Sequence, residues 1–461
     1  MIAAAKSGAS RRRSRQKRLT IEKRSTENFI KAFPSSVVDP DLHKMNHRHL
    51  ILAICFCAFL LWSIALYAAE ENPTHVIETG PAEHLILPPP NATRAVANPS
   101  TLLPWPKGQT PKAPAGFEVN LFAEDLDNPR MIYVLPNSDV LIMESVPQQS
   151  QSRIVLLRDS AKRGRPDLRQ SFLRRLNMAF GMTLIGNRFY VGNTDGVVVL
   201  PYTTGATRIQ RRPEKILDLP SSGHYTRNLL ADSAGKKIYV AVGSATNVDE
   251  QRVDEKDPRR AAILQVDPDG SGMRVFASGM RNPVGMDWEM KTNRLWTVVN
   301  ERDMLGDELV PDYLTSVRDG SFYGWPYSYF GQNEDPRKKG QRPDLVAKAV
   351  KPDYALGSHV APLGLVFYNG KTFPEHYHGG AFIGLHGSWN RSNLVGYKVA
   401  FVPFENGRPN GPIEDFLTGF IVNPKGREVY GRPVGVAVWT DGSLLVADDA
   451  AGKIWRVSAR N

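Results

Sequence analysis

Residues 281–326 read RNPVGMDWEMKTNRLWTVVNERDMLGDELVPDYLTSVRDGSFYGWP, and this stretch decides the fold. Two apolar runs, Val284–Trp288 and Arg294–Val299, flank a polar Met-Lys-Thr-Asn turn, the pattern of a β-hairpin. Beyond them Asn300, Glu301, Asp303, Asp307 and Glu308 crowd one loop, where a sheet commonly presents its chemistry.

The phrase recurs along the chain as a small residue or proline, an apolar run, a polar turn, a second apolar run and a polar or acidic end. It begins at Pro129 (PRMIYVLPNSDVLIMES), Ala179 (AFGMTLIGNRFYVGNTDG), Arg227, Arg281, Ala361 and Arg432. Six copies spaced roughly 50 to 80 residues apart predict an all-β chain folded as a six-bladed β-propeller over 116–461. A seven-bladed ring and a pair of β-sandwiches are the alternatives. The strand around Val119 is placed beside Ile454–Val457, completing the last blade. In such a ring the loops before the innermost strands gather at one channel mouth. Those loops carry His224, Arg281, Asn282, His359 and Arg432, a polar set beyond what a core needs.

The formal charge of +11 is concentrated at the start of the chain. Residues 1–48 hold twelve Lys or Arg against four Asp or Glu, leaving about three positive charges for the rest, so nucleic-acid binding is not expected. Residues 1–49 form a basic tail, and Met45 is an alternative start for translation. Residues 50–69, LILAICFCAFLLWSIALYAA, carry no charge and suit either a secretory signal or a transmembrane anchor. Both readings export the remainder of the chain, secreted to the periplasm or exterior or anchored to an inner membrane through 50–69. Both cysteines, Cys55 and Cys57, lie in this segment, so the exported part has no disulfide and no covalent haem motif. Residues 70–115 contain ten prolines and read as an extended linker.

The motifs GHYTRNL (223–229), GMRNPVGM (279–286), DEL with YGWP (307–326), HVAPLGLVFY (359–368), HGSWNRS (386–392) and YGRPVGVAV (430–438) together resemble the soluble quinoprotein sugar dehydrogenases of the glucose/sorbosone dehydrogenase type. The resemblance covers about residues 116–460 and leans toward the sorbosone branch. It implies pyrroloquinoline quinone (PQQ) at the mouth with calcium beneath, and hydride transfer from a sugar or sugar aldehyde. It implies His224 as general base and Arg281 beside the quinone carbonyl, as a neutral imidazole and a fixed cation would serve. Asn282, His359 and Arg432 become cofactor contacts, and His386 or Arg391 takes the place of a family lysine. Calcium is assigned to the loop at Arg302 and Asp303, through backbone carbonyls, with Asp307 just beyond. The chain departs from the glucose enzyme in having Arg302-Asp303 for a Gly-Pro pair, Ser244 for an acid beside the base, and Gly357 for a tryptophan. Electrons would leave to an external quinone or cytochrome. A calcium-dependent propeller lactonase and a non-catalytic propeller binding module are the other readings.

Overall fold

The computed structural model describes residues 76–146 and 151–460; the basic tail and the apolar segment at 50–69 lie outside them. Six four-stranded antiparallel sheets follow one another along the chain. Blade 1 is Pro129–Val134, Val140–Glu144, Ser152–Arg158 and Leu168–Leu176. Blade 2 is Met182–Ile185, Arg188–Asn193, Gly196–Pro201 and Glu214–Asp218. Blade 3 runs from Leu229–Ala231 through Ile238–Val242 and Ala262–Val266 to Arg274–Ser278. Blade 4 is Asn282–Glu289, Arg294–Asn300, Pro311–Ser316 and Tyr354–Ser358. Blade 5 is Pro362–Phe367, Ala381–Leu385, Lys398–Val402 and Glu414–Leu417. Blade 6 takes Pro433–Val438, Leu444–Asp448 and Lys453–Ala459, and its fourth strand is Phe117–Ala123 from the other end of the domain. The chain is thus a six-bladed propeller.

Each blade is covered on both faces by its neighbours, which is why the second strands read as unbroken apolar runs rather than alternating ones. Val140–Glu144, Ile238–Val242, Ala381–Leu385 and Leu444–Asp448 are buried throughout. Six apolar clusters fill the seams between successive blades, and a seventh, Phe180, Val284, Leu363 and Val434, plugs the channel. The glycine that recurs in the inner strands lets them converge on the axis. A Cβ on Gly364 would stand 2.2 Å from the Val434 carbonyl, and one on Gly181 would stand 2.4 Å from the Leu229 nitrogen.

Residues 76–115, expected as a free linker, are instead laid along the propeller. Thr79–Pro81 adds a fifth strand to blade 4, against Tyr354–Leu356. Thr101–Leu102 runs parallel to Glu428–Val429, and Lys112 exchanges backbone hydrogen bonds with Thr418. Trp105 packs edge-on against Phe420 and Trp455, lies tilted on Tyr430, and donates its indole N–H to Asp448 at 3.1 Å. Proline removes ladder donors and so hides strand pattern in the sequence, but it does not prevent apolar side chains from docking. Trp105→Ala should destabilise the domain by about 2–4 kcal/mol in urea unfolding. Leu102→Ala, at an exposed strap position, should stay within about 0.5 kcal/mol. Equal effects would mean that the strap is not anchored through the indole.

Candidate functional site

The channel mouth is built from the starts of the inner strands and the ends of the second strands. In blade 3 the backbone N–H of His224 donates to the Ser244 carbonyl at 3.0 Å, and its ring Nδ1 lies 2.8 Å from the same oxygen. That contact fixes Nδ1 as the protonated nitrogen and leaves Nε2 with its lone pair free. The Ser244 hydroxyl stands 3.2 Å from Nδ1 and donates onward to the Thr246 carbonyl. Gly243 makes room for this, since a Cβ there would meet Asn282 Oδ1 at 2.3 Å and His224 Cβ at 2.6 Å. Burial, reinforced by the nearby Arg281 cation, pushes the His224 imidazole down to about 3, so it is neutral at working pH.

Blade 4 supplies Arg281, whose guanidinium donates to the Glu301 carbonyl (2.7 Å), to Asp303 Oδ2 (3.0 Å) and to the Asn247 carbonyl (3.3 Å). Burial alone would raise the Asp303 carboxyl, but Arg281 and then His359 hold it below its ordinary value. His359 donates from Nε2 to the Gly306 carbonyl at 2.9 Å and places Nδ1 3.6 Å from Asp303. Its pKa is raised, because these oxygens outweigh the burial that opposes charge. Asp312 pegs the two loops together, accepting from the backbone nitrogens of Glu301 and Ala361, both at 2.7 Å. Beside this cluster the buried Asn282 Oδ1 has no hydrogen-bond partner.

Blades 5, 6 and 1 contribute a second cluster. Arg432 donates to His386 Nδ1 at 3.0 Å, which leaves Nε2–H to donate to Asp449 at 2.9 Å. Arg130 also donates to Asp449, and its guanidinium lies 5.9 Å from the ring centres of both Phe180 and Tyr225. Burial pushes His386 down to about 4, while His386 and Arg130 overcome burial to hold Asp449 well below the usual carboxylate range. Arg432 is set by its own backbone N–H on Asp448 Oδ1 at 2.8 Å. The result is a polar collar with three guanidiniums and three histidines over the apolar floor of Phe180, Val284, Leu363 and Val434.

The structure therefore brings together His224, Arg281, Asn282, His359, His386 and Arg432. Two other expected side chains, Arg391 and Asp307, are engaged elsewhere. Arg391 forks onto Glu78 of the strap at 2.8 and 3.0 Å, so its charge ties strap to loop instead of facing the mouth. The expectation for Arg302 concerns its backbone carbonyl; its side chain points into the protein, fully buried among Glu301, Asp335 and the Pro326 and Ser328 carbonyls, pinning the Gly-Trp-Pro insertion. Asp307 accepts from the Ser392 nitrogen and gives its own N–H to Thr93, away from Asp303. Sequence reasoning passed over Arg130 and Asp449. Both stood in the repeated phrase, Arg130 at an inner-strand start and Asp449 at an acidic end.

Residues 111–313 and 330–460 match the family described as TrAA12-like. The chain belongs to that family. It is 35% identical over 239 residues to an uncharacterised protein of Borreliella burgdorferi, covering 51% of this chain and 61% of that one. It is 25% identical over 330 residues to the pyrroloquinoline quinone-dependent pyranose dehydrogenase of Coprinopsis cinerea, covering 59% of this chain and 44% of the enzyme. In both cases the match spans less than two thirds of the relative's length. A calcium structure of the Trichoderma reesei family AA12 protein shares the fold, with a TM-score of 0.66 at 21% identity over 76% of this chain and 97% of that one.

The depressed histidines predict a pH signature. His386 binds a proton in the unfolded chain near pH 6.5 but in the folded chain only near pH 4, so its contribution to stability is lost as pH falls through that window. Asp312 and Asp448, raised by burial to about 7 and about 6, pull the other way, so the effect is read as a difference. The stability gap between the wild type and His386→Asn should narrow between pH 6.5 and 4 by up to about 1.4 kcal/mol per pH unit. A gap independent of pH would show that His386 titrates normally.

Proposed function

We propose that the mouth binds PQQ and that the protein oxidises a small sugar or sugar aldehyde, with His224 as the general base. The observation that carries this is His224 itself: a neutral imidazole with Nδ1–H locked on Ser244 and Nε2 free, beside the Arg281 cation and the unpartnered Asn282 oxygen. A planar tricarboxylate quinone suits the collar. Arg130, Arg281 and Arg432 offer guanidinium forks for carboxylates and carbonyls, and the buried Arg130 Nε and Asn282 Oδ1 lack partners. The apolar floor of the channel suits a flat ring. When bound, the quinone supplies the two-electron acceptor. His224 Nε2 then takes the proton of the substrate hydroxyl, Arg281 stabilises negative charge developing beside it, and Asp303 keeps Arg281 oriented. On this reading electrons leave to an external quinone or cytochrome and the propeller works outside the cytoplasm, secreted or membrane-anchored, which the uncharged apolar run at 50–69 supports.

Calcium fits less well. Of the two carbonyls assigned to calcium, that of Asp303 already accepts from Asn247 at 3.1 Å and from Arg337 at 3.0 Å, which leaves only that of Arg302, and the Asp303 carboxylate is paired. Among the described residues no group of three or more His, Cys, Asp or Glu side chains is arranged to hold a metal. These residues do not by themselves make a calcium site, and no step is assigned to the ion. The same donor set disfavours a calcium lactonase, which needs unpaired carboxylates around a central metal. Millimolar calcium without cofactor should leave the melting temperature unchanged; a rise would reveal a preformed site.

Dye-coupled turnover of the PQQ-loaded protein with an aldose panel tests the reading. His224→Ala should retain cofactor binding and lose activity by about 10²–10⁴-fold. Because the free base titrates near 3, the wild-type kcat/KM should show no acid limb from His224 between pH 5 and 8. Unchanged activity in the variant would remove the base assignment, failure to bind PQQ would sink the whole reading, and binding without turnover would favour a non-catalytic module.

A further inference from the structure

The outer wall between blades 1 and 2 carries a groove of about 910 Å³ whose lining includes Arg174, Arg175, Arg208, Arg211 and Arg212 and no carboxylate. All five arginines are exposed. Among the described residues none of them makes an ion pair, whereas Arg153, Arg158, Arg259, Arg274, Arg342 and Arg456 are each matched by an acid. Two come from a bulge in the edge strand of blade 1. Ser152 pairs with Leu176 but Ile154 pairs with Leu173, so one extra residue is pushed outward, and Arg175 takes the left-handed conformation at φ 64°. The other three come from the loop before the last strand of blade 2, which is fastened to the bulged strand by the Ile209 N–H on the Phe172 carbonyl at 2.8 Å. The positive groups are therefore held together by backbone geometry, although like charges repel.

We propose that this groove docks the carboxylate-rich face of a partner protein, independently of the chemistry at the mouth. Guanidinium forks match carboxylates in pairs, and exposed unpaired charge steers association with acidic surfaces. The patch is bounded. At its ends Arg169 is already shared with Glu144, and Lys215 with Asp195 and Asp218. A bounded patch suits the limited acidic face of a protein better than a continuous polyanion, which needs an unbroken basic track.

The test uses the full chain, with a short labelled hexaglutamate peptide as probe at low salt. Arg208→Ser, Arg211→Ser and Arg212→Ser combined should bind about tenfold more weakly than wild type, three surface ion pairs being worth roughly that factor. A control with the same charge loss at Arg163, Arg318 and Arg408, exposed outside the groove, should bind as the wild type does. Coinciding melting curves would show that all three proteins are folded. Equal binding by the groove variant and the control would overturn the proposal. So would a groove-dependent loss that is larger toward heparin or toward phosphatidylglycerol vesicles, which would assign the arginines to a polyanion or a membrane.

Discussion

The pairing of Phe117–Ala123 with Lys453–Ala459 is the constraint on which the remaining structure depends. A sheet ring has no stable intermediate closure, because each blade buries both faces only when it has two neighbours. Joining the first strand of the domain to the last blade converts six separate sheets into one closed set of seams. Phe117 contributes directly, meeting Phe373, Tyr377 and Phe416 edge-on at 4.7–5.4 Å between blades 5 and 6. The strap that precedes it extends this closure over blades 4 to 6 and, through Glu78 and Asn98, reaches the loop that begins at His386.

Closure also sets the electrostatics of the mouth. Six strands converge so tightly that the polar groups at their starts lose most of their water, and their charges must then be matched within the ring. Two guanidinium–carboxylate pairs, Arg281 with Asp303 and Arg130 with Asp449, do this for opposite sides of the collar. The histidines divide accordingly. Burial, with Arg281 and Arg432 adding to it, keeps His224 and His386 neutral, while His359, facing Asp303 and a carbonyl, leans toward the charged form. One collar thereby holds a free base and a protonatable group a loop apart.

Much of this was legible from residues alone, and for a definable reason. The period of the hairpin phrase survives because both faces of every blade are buried, so blade number, ring closure and the mouth loops could be read from apolar runs and turns. His224, Arg281, Asn282 and Arg432 stood at the fixed position before inner strands and were found there. What the sequence hid was pairing. The fate of Arg302 and Arg391 depends on Asp335 and Glu78, which are distant in sequence and mark no period. The docked strap was hidden because its contacts run through single residues such as Trp105, and Asp449 because an acidic strand end resembles any solvated turn.

The central claim is that PQQ held at the mouth would take two electrons from a sugar while a neutral His224 takes the proton of its hydroxyl. An anaerobic single-turnover experiment addresses it most directly: bind PQQ, add one equivalent of aldose without any dye, and follow the bound quinone's absorbance. Stoichiometric reduction is expected in the wild type, and a bound but unreduced cofactor in His224→Ala. A wild type that binds PQQ and is reduced by no aldose, or a variant reduced as fast as the wild type, would contradict it.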